Sequence, residues 1–507
     1  MTNRYGRRAR GVAVCTALLG SLTASPTARQ AVPVYGAVAG GPSVLVSSAN
    51  GASPYTGVGR YEGRATCTAF LLATVPPTED PRDAPAYALT SGRCPAAPGP
   101  NDVLVDRAGV GRIVFNFFSD SERWQIPVAV ARTAYATTKG RDVAVLELAV
   151  SYRDLVGQLV RPWTVAASPR AGDPIVVVGA PLASDPDEAF LRLATCRSEG
   201  VAPFVIEHTW HWFDAPFNRC RDIATGSSGS PVLSVLDRQV IGLINTTTAG
   251  AQPLTECAID HPCEPVRGGS RSRPDTNYVT PLAGIHACFD LRRRFSLQQA
   301  GCPLDPGTQP QAMPSYVGSV NPRLSTQPIG QVPRTWNISV ATSQPFYRYA
   351  IVSPPFDDCR TTGAYSNALS VTTAPSIDPP LPLSEGFAFL CIVGTATRDG
   401  SGAVDPRPHA TVVVARTDVT PPRMPAQVTI DEGDAAWRVT FDTTGNEVSF
   451  HAFKVGRPSD TRCDDAIGYR LALAPLGLPK ANAPYLFCAI PYDAAQNAGH
   501  LLQRLLS

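Results

Sequence analysis

Short apolar runs, broken by glycine, proline and small polar residues, recur along most of this chain. Examples are 67–72 (CTAFLL), 126–130 (IPVAV), 142–148 (DVAVLEL), 174–179 (PIVVVG) and 240–245 (VIGLIN). Runs of this length at short spacing predict strands of barrels or sandwiches. Further runs at 411–414 (TVVV) and 438–441 (RVTF) extend the pattern toward the C-terminus. A single terminal helix is expected over 281–295, with Arg292, Arg293 and Arg294 at its solvated end. The fold class is therefore all-β.

Proline and glycine divide the chain. The stretch 303–335 mixes frequent Pro with Gly, Ser, Thr and Gln and reads as an extended linker. A second joint lies at Asp418-Val419-Thr420-Pro421-Pro422. The expected division is 1–24 leader, 25–49 N-terminal extension, 50–302 main domain, 303–335 linker, and two modules at 336–417 and 418–507. The two modules repeat each other. Tyr347 to Cys359 and His451 to Cys463 have equal length, and each Cys is followed six residues later by Tyr365 or Tyr469. Each then reaches an aromatic strand ending in Cys391 or Cys488. This is the pattern of two small β-sandwiches, each fastened by one disulfide.

Composition sharpens the picture. Of 507 residues, 49 are Pro, about twice the usual share, and only 17% are charged, which argues against long helices and coiled coils. The net charge of +2, without a long basic run, gives no footprint for nucleic acid. Residues 1–24 carry Arg4, Arg7, Arg8 and Arg10, then a short apolar stretch and small residues, the pattern of a secretory signal peptide. Cleavage after Ala24 would remove four Arg and no acid, changing the net charge from +2 to −2. No later segment is apolar enough to span a membrane, so a secreted or cell-surface protein is expected. Cys15 leaves with the leader, and 12 of the 13 Cys remain, an even number suited to an oxidising compartment. The simplest pairing that respects the boundaries joins Cys67–Cys94, Cys196–Cys220, Cys257–Cys263, Cys288–Cys302, Cys359–Cys391 and Cys463–Cys488; the count alone leaves other pairings open.

The candidate chemistry lies in Asp222-Ile223-Ala224-Thr225-Gly226-Ser227-Ser228-Gly229-Ser230-Pro231. Gly226 and Gly229 permit a tight turn around Ser228. Such a turn exposes a hydroxyl and aims the amides of Gly226 and Ser228 into one pocket fit for an oxyanion. The run resembles the nucleophile loop of chymotrypsin-like (trypsin-like) serine peptidases, in the form seen in the bacterial glutamyl endopeptidase-like branch. Other blocks follow in the family's order. Cys67–Leu72 with Ala88-Leu89-Thr90-Ser91-Gly92-Arg93-Cys94 resembles the disulfide-anchored block carrying the catalytic His. Arg141–Leu148 resembles the block carrying the catalytic Asp, at Asp142. Val240–Asn245 resembles the strand lining the substrate cleft. The resemblance spans about 50–302 and implies two six-stranded antiparallel barrels with a cleft between them. The last two modules resemble bacterial fibronectin type III-like or immunoglobulin-like domains, an architectural likeness that implies no activity.

One position departs from the family pattern. Arg93 stands where the His is expected, and no His occurs from Met1 to Glu207. A triad needs an imidazole to take and return the serine proton, and a guanidinium stays protonated. Losing the base costs about 10⁶-fold in turnover in a comparable peptidase. Arg93 is expected instead to offer a fixed cation to Asp142, as an ion pair, or near Ser228. His208, His211, His261 and His286 are the other imidazoles of the domain, and none is expected to replace the base. The aromatic stretch 207–213 is read as packing rather than pocket. Ser227, where trypsin-like zymogens place an Asp, removes that family's activation contact. His208 with His211, and Cys257 with His261 and Cys263, have metal-ligand residue types; the cysteines are expected to pair, and no metal or cofactor is expected. Three functional readings follow. The first is a peptidase homologue that binds a polypeptide substrate or protein ligand without hydrolysis. The second is an active serine endopeptidase with an unusual base. The third is an adhesive protein whose sandwiches contact a cell surface or polysaccharide.

Overall fold

The structure is a computed structural model that describes residues 40–47, 54–75, 84–167, 169–183, 185, 189–250, 257–323, 334–360, 363, 365–399, 405–443 and 447–507. The expected leader, and residues 25–39, 48 and 49 of the expected N-terminal extension, lie outside the described residues; within 40–47 the short strand Val44–Leu45 pairs with Arg192–Glu207. Almost everything described is strand, turn or loop; the longest helix is the six-residue Tyr152–Gly157.

Two closed six-stranded antiparallel barrels occupy the first half. In the first, the strands run Ile126–Thr137, Arg112–Phe115, Val58–Glu62, Thr66–Leu71, Pro85–Thr90 and Val143–Ser151, and the last pairs back with the first. In the second, they run Arg192–Glu207, Trp210–Asn218, Asn277–Pro281, Val240–Thr247, Pro231–Ser234 and Pro174–Gly179, again closing on the first. Within each ring every strand has two neighbours; a seventh strand adds outside it, Val103–Ala108 on Ile126–Thr137 in the first and Val44–Leu45 on Arg192–Glu207 in the second. The side-chain period of two explains why these strands are apolar on both faces. Ala69, Leu71, Ala86, Ala88, Ala144 and Leu146 fill the first barrel. Their neighbours Phe70, Leu72, Tyr87, Leu89, Val143 and Val145 point outward and meet Val176, Val178, Leu233 and Leu243 of the second. On these three strands alanines dominate the inward face and larger side chains build the seam, while Tyr61, Ile113 and Phe115 fill the interior from strands Val58–Glu62 and Arg112–Phe115.

The remaining chain forms two units, each a three-stranded sheet beside a four-stranded one. The first unit pairs Gln311–Met313, Ile338–Ala341 and Ser376–Ile377 against Tyr316–Val320, Thr411–Thr417, Gly386–Thr395 and Phe346–Val352. The second pairs Val428–Glu432, Ala436–Phe441 and Leu476–Pro479 against Arg470–Leu471, Phe450–Gly456, Tyr485–Tyr492 and Leu502–Leu506. Trp336, Ile338, Tyr347, Leu390 and Val413 centre the first core, and Trp437, Val439 and Phe487 the second. All six expected disulfides are formed: Cys67–Cys94, Cys196–Cys220, Cys257–Cys263, Cys288–Cys302, Cys359–Cys391 and Cys463–Cys488.

Two expectations are corrected. The helix over 281–295 is absent. A short 3₁₀ turn, Ile285–Cys288, follows Gly284, whose φ is +81°, and the chain then reverses at Asp290. The Asp290 carboxylate accepts from the amides of Arg292 and Arg294, each at 2.8 Å. That local turn bonding competes with helix and wins, and it brings Phe289 edge-on to Phe295. The described part of the expected linker, 303–323, is also not a free spacer. Leu304 and Asp305 are buried, and 311–313 and 316–320 are strands of the first two-sheet unit. Pro-rich chain is already extended, which suits edge strands as well as linkers.

Candidate functional site

The turn around Ser228 sits at the barrel seam and is gripped from both sides. Thr68 of the first barrel donates its amide to the Ser228 carbonyl (2.9 Å) and its hydroxyl to the Gly226 carbonyl (3.0 Å). The Gly229 amide donates to the Ile244 carbonyl of the second barrel (2.8 Å). Both glycines need their identity. Gly226 has φ +92° and Gly229 +86°, and a Cβ on Gly229 would lie 2.2 Å from the Thr68 carbonyl oxygen. Among the described residues, no backbone carbonyl accepts from the amides of Gly226 or Ser228. The Ser228 side chain is half-buried, and its hydroxyl donates weakly to the Asn245 carbonyl, at 3.3 Å. Ser227 is buried, and its oxygen accepts from the Ala224 amide.

Asp142 enters the seam just before strand Val143–Ser151 and is fully buried. It accepts from the Ser91 hydroxyl and from the Arg93 amide, the latter at 3.2 Å. Arg93 Nε lies 3.1 Å from Asp142 Oδ2, an ion-pair contact without the angle of a good hydrogen bond. The expected pair is therefore present, but it is only half of the arrangement. Arg93 Nη1 donates to Glu207 Oε1 (3.3 Å), and Nη2 donates to the Asn245 carbonyl (2.6 Å) and to Asn245 Oδ1 (2.9 Å). Its face lies over Trp210 and Trp212, with the guanidinium carbon 5.3 and 5.6 Å from the ring centres.

Glu207, Asn245, Ser91 and the two tryptophans were not picked out as site residues from the sequence. A signal for Glu207 was present. A cation in a seam between barrels needs compensation, and an acid next to an aromatic run at a strand end was available to supply it. Glu207 is 0% exposed, and the Asp260 amide also donates to its Oε1 (3.0 Å). Burial alone would lower the Arg93 pKa, but Glu207 and then Asp142 outweigh it and hold the guanidinium above its ordinary value. Arg93 is a fixed cation, with no lone pair to accept a proton.

The imidazoles lie elsewhere. The His208 ring rests against Tyr316, and His211 is buried against Phe213 and Phe389. His286 Nε2 accepts from the Val165 amide. Among the described residues none of the seven His bonds to the Ser228 hydroxyl. Cys257 and Cys263 are bonded to each other, so their sulfurs are not thiolate ligands.

The aromatic stretch 207–213 forms the end of the hairpin made by strands Arg192–Glu207 and Trp210–Asn218, turning at His208 with φ +54°. Trp212, Val205 and Phe217 pack on one face against Tyr278. Phe204, Ile206 and Phe213 pack on the other against Phe387, Phe389 and Val412 of the first two-sheet unit. The reading of this stretch as packing is half right: it packs, and it also supplies Glu207 and Trp210 to the site.

No family model matches this chain, and no curated protein matches it. Solved structures do. A Glu endopeptidase in complex with MPD is 15% identical, with a TM-score of 0.27, covering 48% of this chain and 93% of its own. A thermostable serine protease, AL20, from an extremophilic microorganism is 12% identical, with a TM-score of 0.29, covering 45% and 91%. Human heparin binding protein is 12% identical, with a TM-score of 0.31, covering 49% and 93%. The double-barrel assignment rests on the strand closure described above.

Proposed function

We propose that this chain is an exported serine-peptidase homologue that binds a polypeptide in the cleft between its barrels without hydrolysing it. The carrying observation is the Arg93 guanidinium, which bridges Asp142, Glu207 and Asn245 where a proton shuttle would stand. In this reading Ser228 is a retained nucleophile position, Asp142 a retained triad carboxylate, and Gly226 with Ser228 the oxyanion turn. Without a base, a site of this kind keeps only about 10³–10⁴-fold over water, from the oxyanion donors and binding alone. Six disulfides support the export reading, since such bonds persist in oxidising compartments. The two C-terminal units are read as fibronectin- or immunoglobulin-like modules. In the adhesive reading, surface or polysaccharide contact falls to the second unit, because the first spends a sheet face on the barrels.

The test is covalent labelling of Ser228 by a fluorophosphonate, alongside casein cleavage. The wild-type chain is expected to show neither. Rapid stoichiometric labelling would overturn the proposal and restore the active-endopeptidase reading. Arg93→His is expected to raise the labelling rate by restoring an imidazole beside Asp142. Paired with Glu207→Gln, which removes the carboxylate left without its cation, it should gain more.

A further inference from the structure

A cavity of about 190 Å³ lies where the first unit of paired sheets meets the barrels, away from Ser228. Its walls come from both bodies: Tyr135, Arg141 and His211 from the barrels, and Arg360 and His409 from the two-sheet unit. The space would hold several waters or one small polyatomic ion.

The charges around it do not cancel within its walls. Lys139 is paired with Asp305 at 2.8 Å, both side chains being buried. Arg360 is held by Asp214 and by Asp358, the latter at 2.8 Å. Arg141 has no such partner: among the described residues no carboxylate forms an ion pair with it. Burial pushes its pKa down, Tyr135 and Asp214 pull against that, and the nearby Arg360 adds to the fall. Two further groups are fully buried and unsatisfied. Neither the Tyr135 hydroxyl nor a His211 ring nitrogen makes a hydrogen bond of good geometry, although the Asp305 amide and Thr137 lie near the first and the Thr209 backbone near the second. Buried polar groups without partners are costly, so the Tyr135 hydroxyl and the single N–H of the neutral His211 ring, beside an unpaired guanidinium, point to a missing acceptor.

We propose that this cavity binds a small oxyanion of the phosphate or sulfate type, held by Arg141 with the Tyr135 hydroxyl and a His211 N–H as donors. The acceptor oxygens of such an ion satisfy all three, and its charge neutralises the guanidinium. Because the walls belong to two bodies, the ion also ties the first two-sheet unit to the barrels.

The experiment titrates inorganic phosphate into the full chain in a phosphate-free, low-salt buffer, read by calorimetry and by Tm. One phosphate per chain is expected, with Tm rising as phosphate is added, and sulfate competing for the same site. Arg141→Gln should weaken binding at least about tenfold, and Tyr135→Phe, which keeps the ring and its packing, about threefold to tenfold. An absence of heat and of Tm shift up to about 20 mM phosphate would overturn the proposal. So would unchanged affinity in both variants. The result is independent of Ser228 labelling, so this site and the hydrolysis-free reading stand or fall separately.

Discussion

The two C-terminal units share one plan and differ in what they face. In each, an aromatic strand carries a disulfide to the loop after its neighbour, Cys391 to Cys359 and Cys488 to Cys463. In each, a tyrosine six residues past the loop cysteine donates its hydroxyl to that cysteine's carbonyl at 2.7 Å, Tyr365 to Cys359 and Tyr469 to Cys463. In the first unit, nine of the ten residues of strand Gly386–Thr395 are buried, because one face meets its own partner sheet and the other meets the barrels. In the second, only four of the eight residues of Tyr485–Tyr492 are buried and the rest are half-buried, and Ile467 and Leu473 stand more than 80% exposed. The difference teaches that the first unit belongs to the candidate site. It presses on the back of the hairpin whose other face delivers Glu207, Trp210 and Trp212 to Arg93.

The strongest way to break this comparison is to cut the same strand position in both units. Counting from the cysteines, Phe389 corresponds to Leu486. Phe389 is fully buried against Phe204 and His211, whereas Leu486 is half-buried. Phe389→Ala is expected to cost about 3–5 kcal/mol, the usual range for emptying a large aromatic core position. Leu486→Ala should cost about 1 kcal/mol, because less area returns to water. Urea unfolding of the two variants decides it. Equal losses would mean the contact with the barrels adds no stability.

Acid should sharpen the same contrast. Burial pulls the His211 pKa from 6.5 down to about 3, with Lys139 pushing the same way and the Thr209 carbonyl opposing. The folded-state pKa is depressed, so the neutral ring's contribution is fully present above the unfolded value. It is lost as pH falls from about 6.5 toward 3, at about 1.4 kcal/mol per pH unit. His211→Gln should remove that slope relative to wild type across this window. In the second unit, His451 is also pulled down by burial, with Asp442 opposing. His451→Gln should shift the profile less. Unfolding free energies at pH 7, 6 and 5 are the measurement, and parallel wild-type and His211→Gln curves would refute the assignment.

Much of this was legible in the residues. The alternation of small and large apolar side chains in 67–72, 85–90 and 142–148 carries both the barrel and the seam. The continuous run at 386–394, without a polar alternate, already marks a strand buried on two faces. Asp142 and Arg93 were readable because their neighbours form local blocks, and the ion pair between them was expected. Glu207 and Asn245 were not, because they reach Arg93 across 114 and 152 residues of sequence. The helix over 281–295 failed for a local reason: Asp290 turns the chain with its own carboxylate, a bond that hydrophobic periodicity does not register. The linker failed because extended, Pro-rich chain looks alike whether it is solvated or paired.

The smallest effect tests the shared feature itself. Removing the hydroxyl in Tyr365→Phe or Tyr469→Phe deletes one hydrogen bond to a cysteine carbonyl and leaves the ring in place. A typical bond of this kind is worth about 0.5–1.5 kcal/mol, the larger share where the orphaned carbonyl cannot reach water. Tyr365 packs against the cluster shared with the barrels. The Tyr469 ring instead lies under the Lys454 ammonium, 5.1 Å from its centre, with both residues half-buried and no contact with the barrel cluster that holds Tyr365. Tyr365→Phe should therefore sit at the upper end of that range and Tyr469→Phe at the lower. Equal small losses, measured by thermal unfolding, would show that water reaches the Cys359 carbonyl as freely as that of Cys463. The docked face would then be looser at this corner than its buried strand implies.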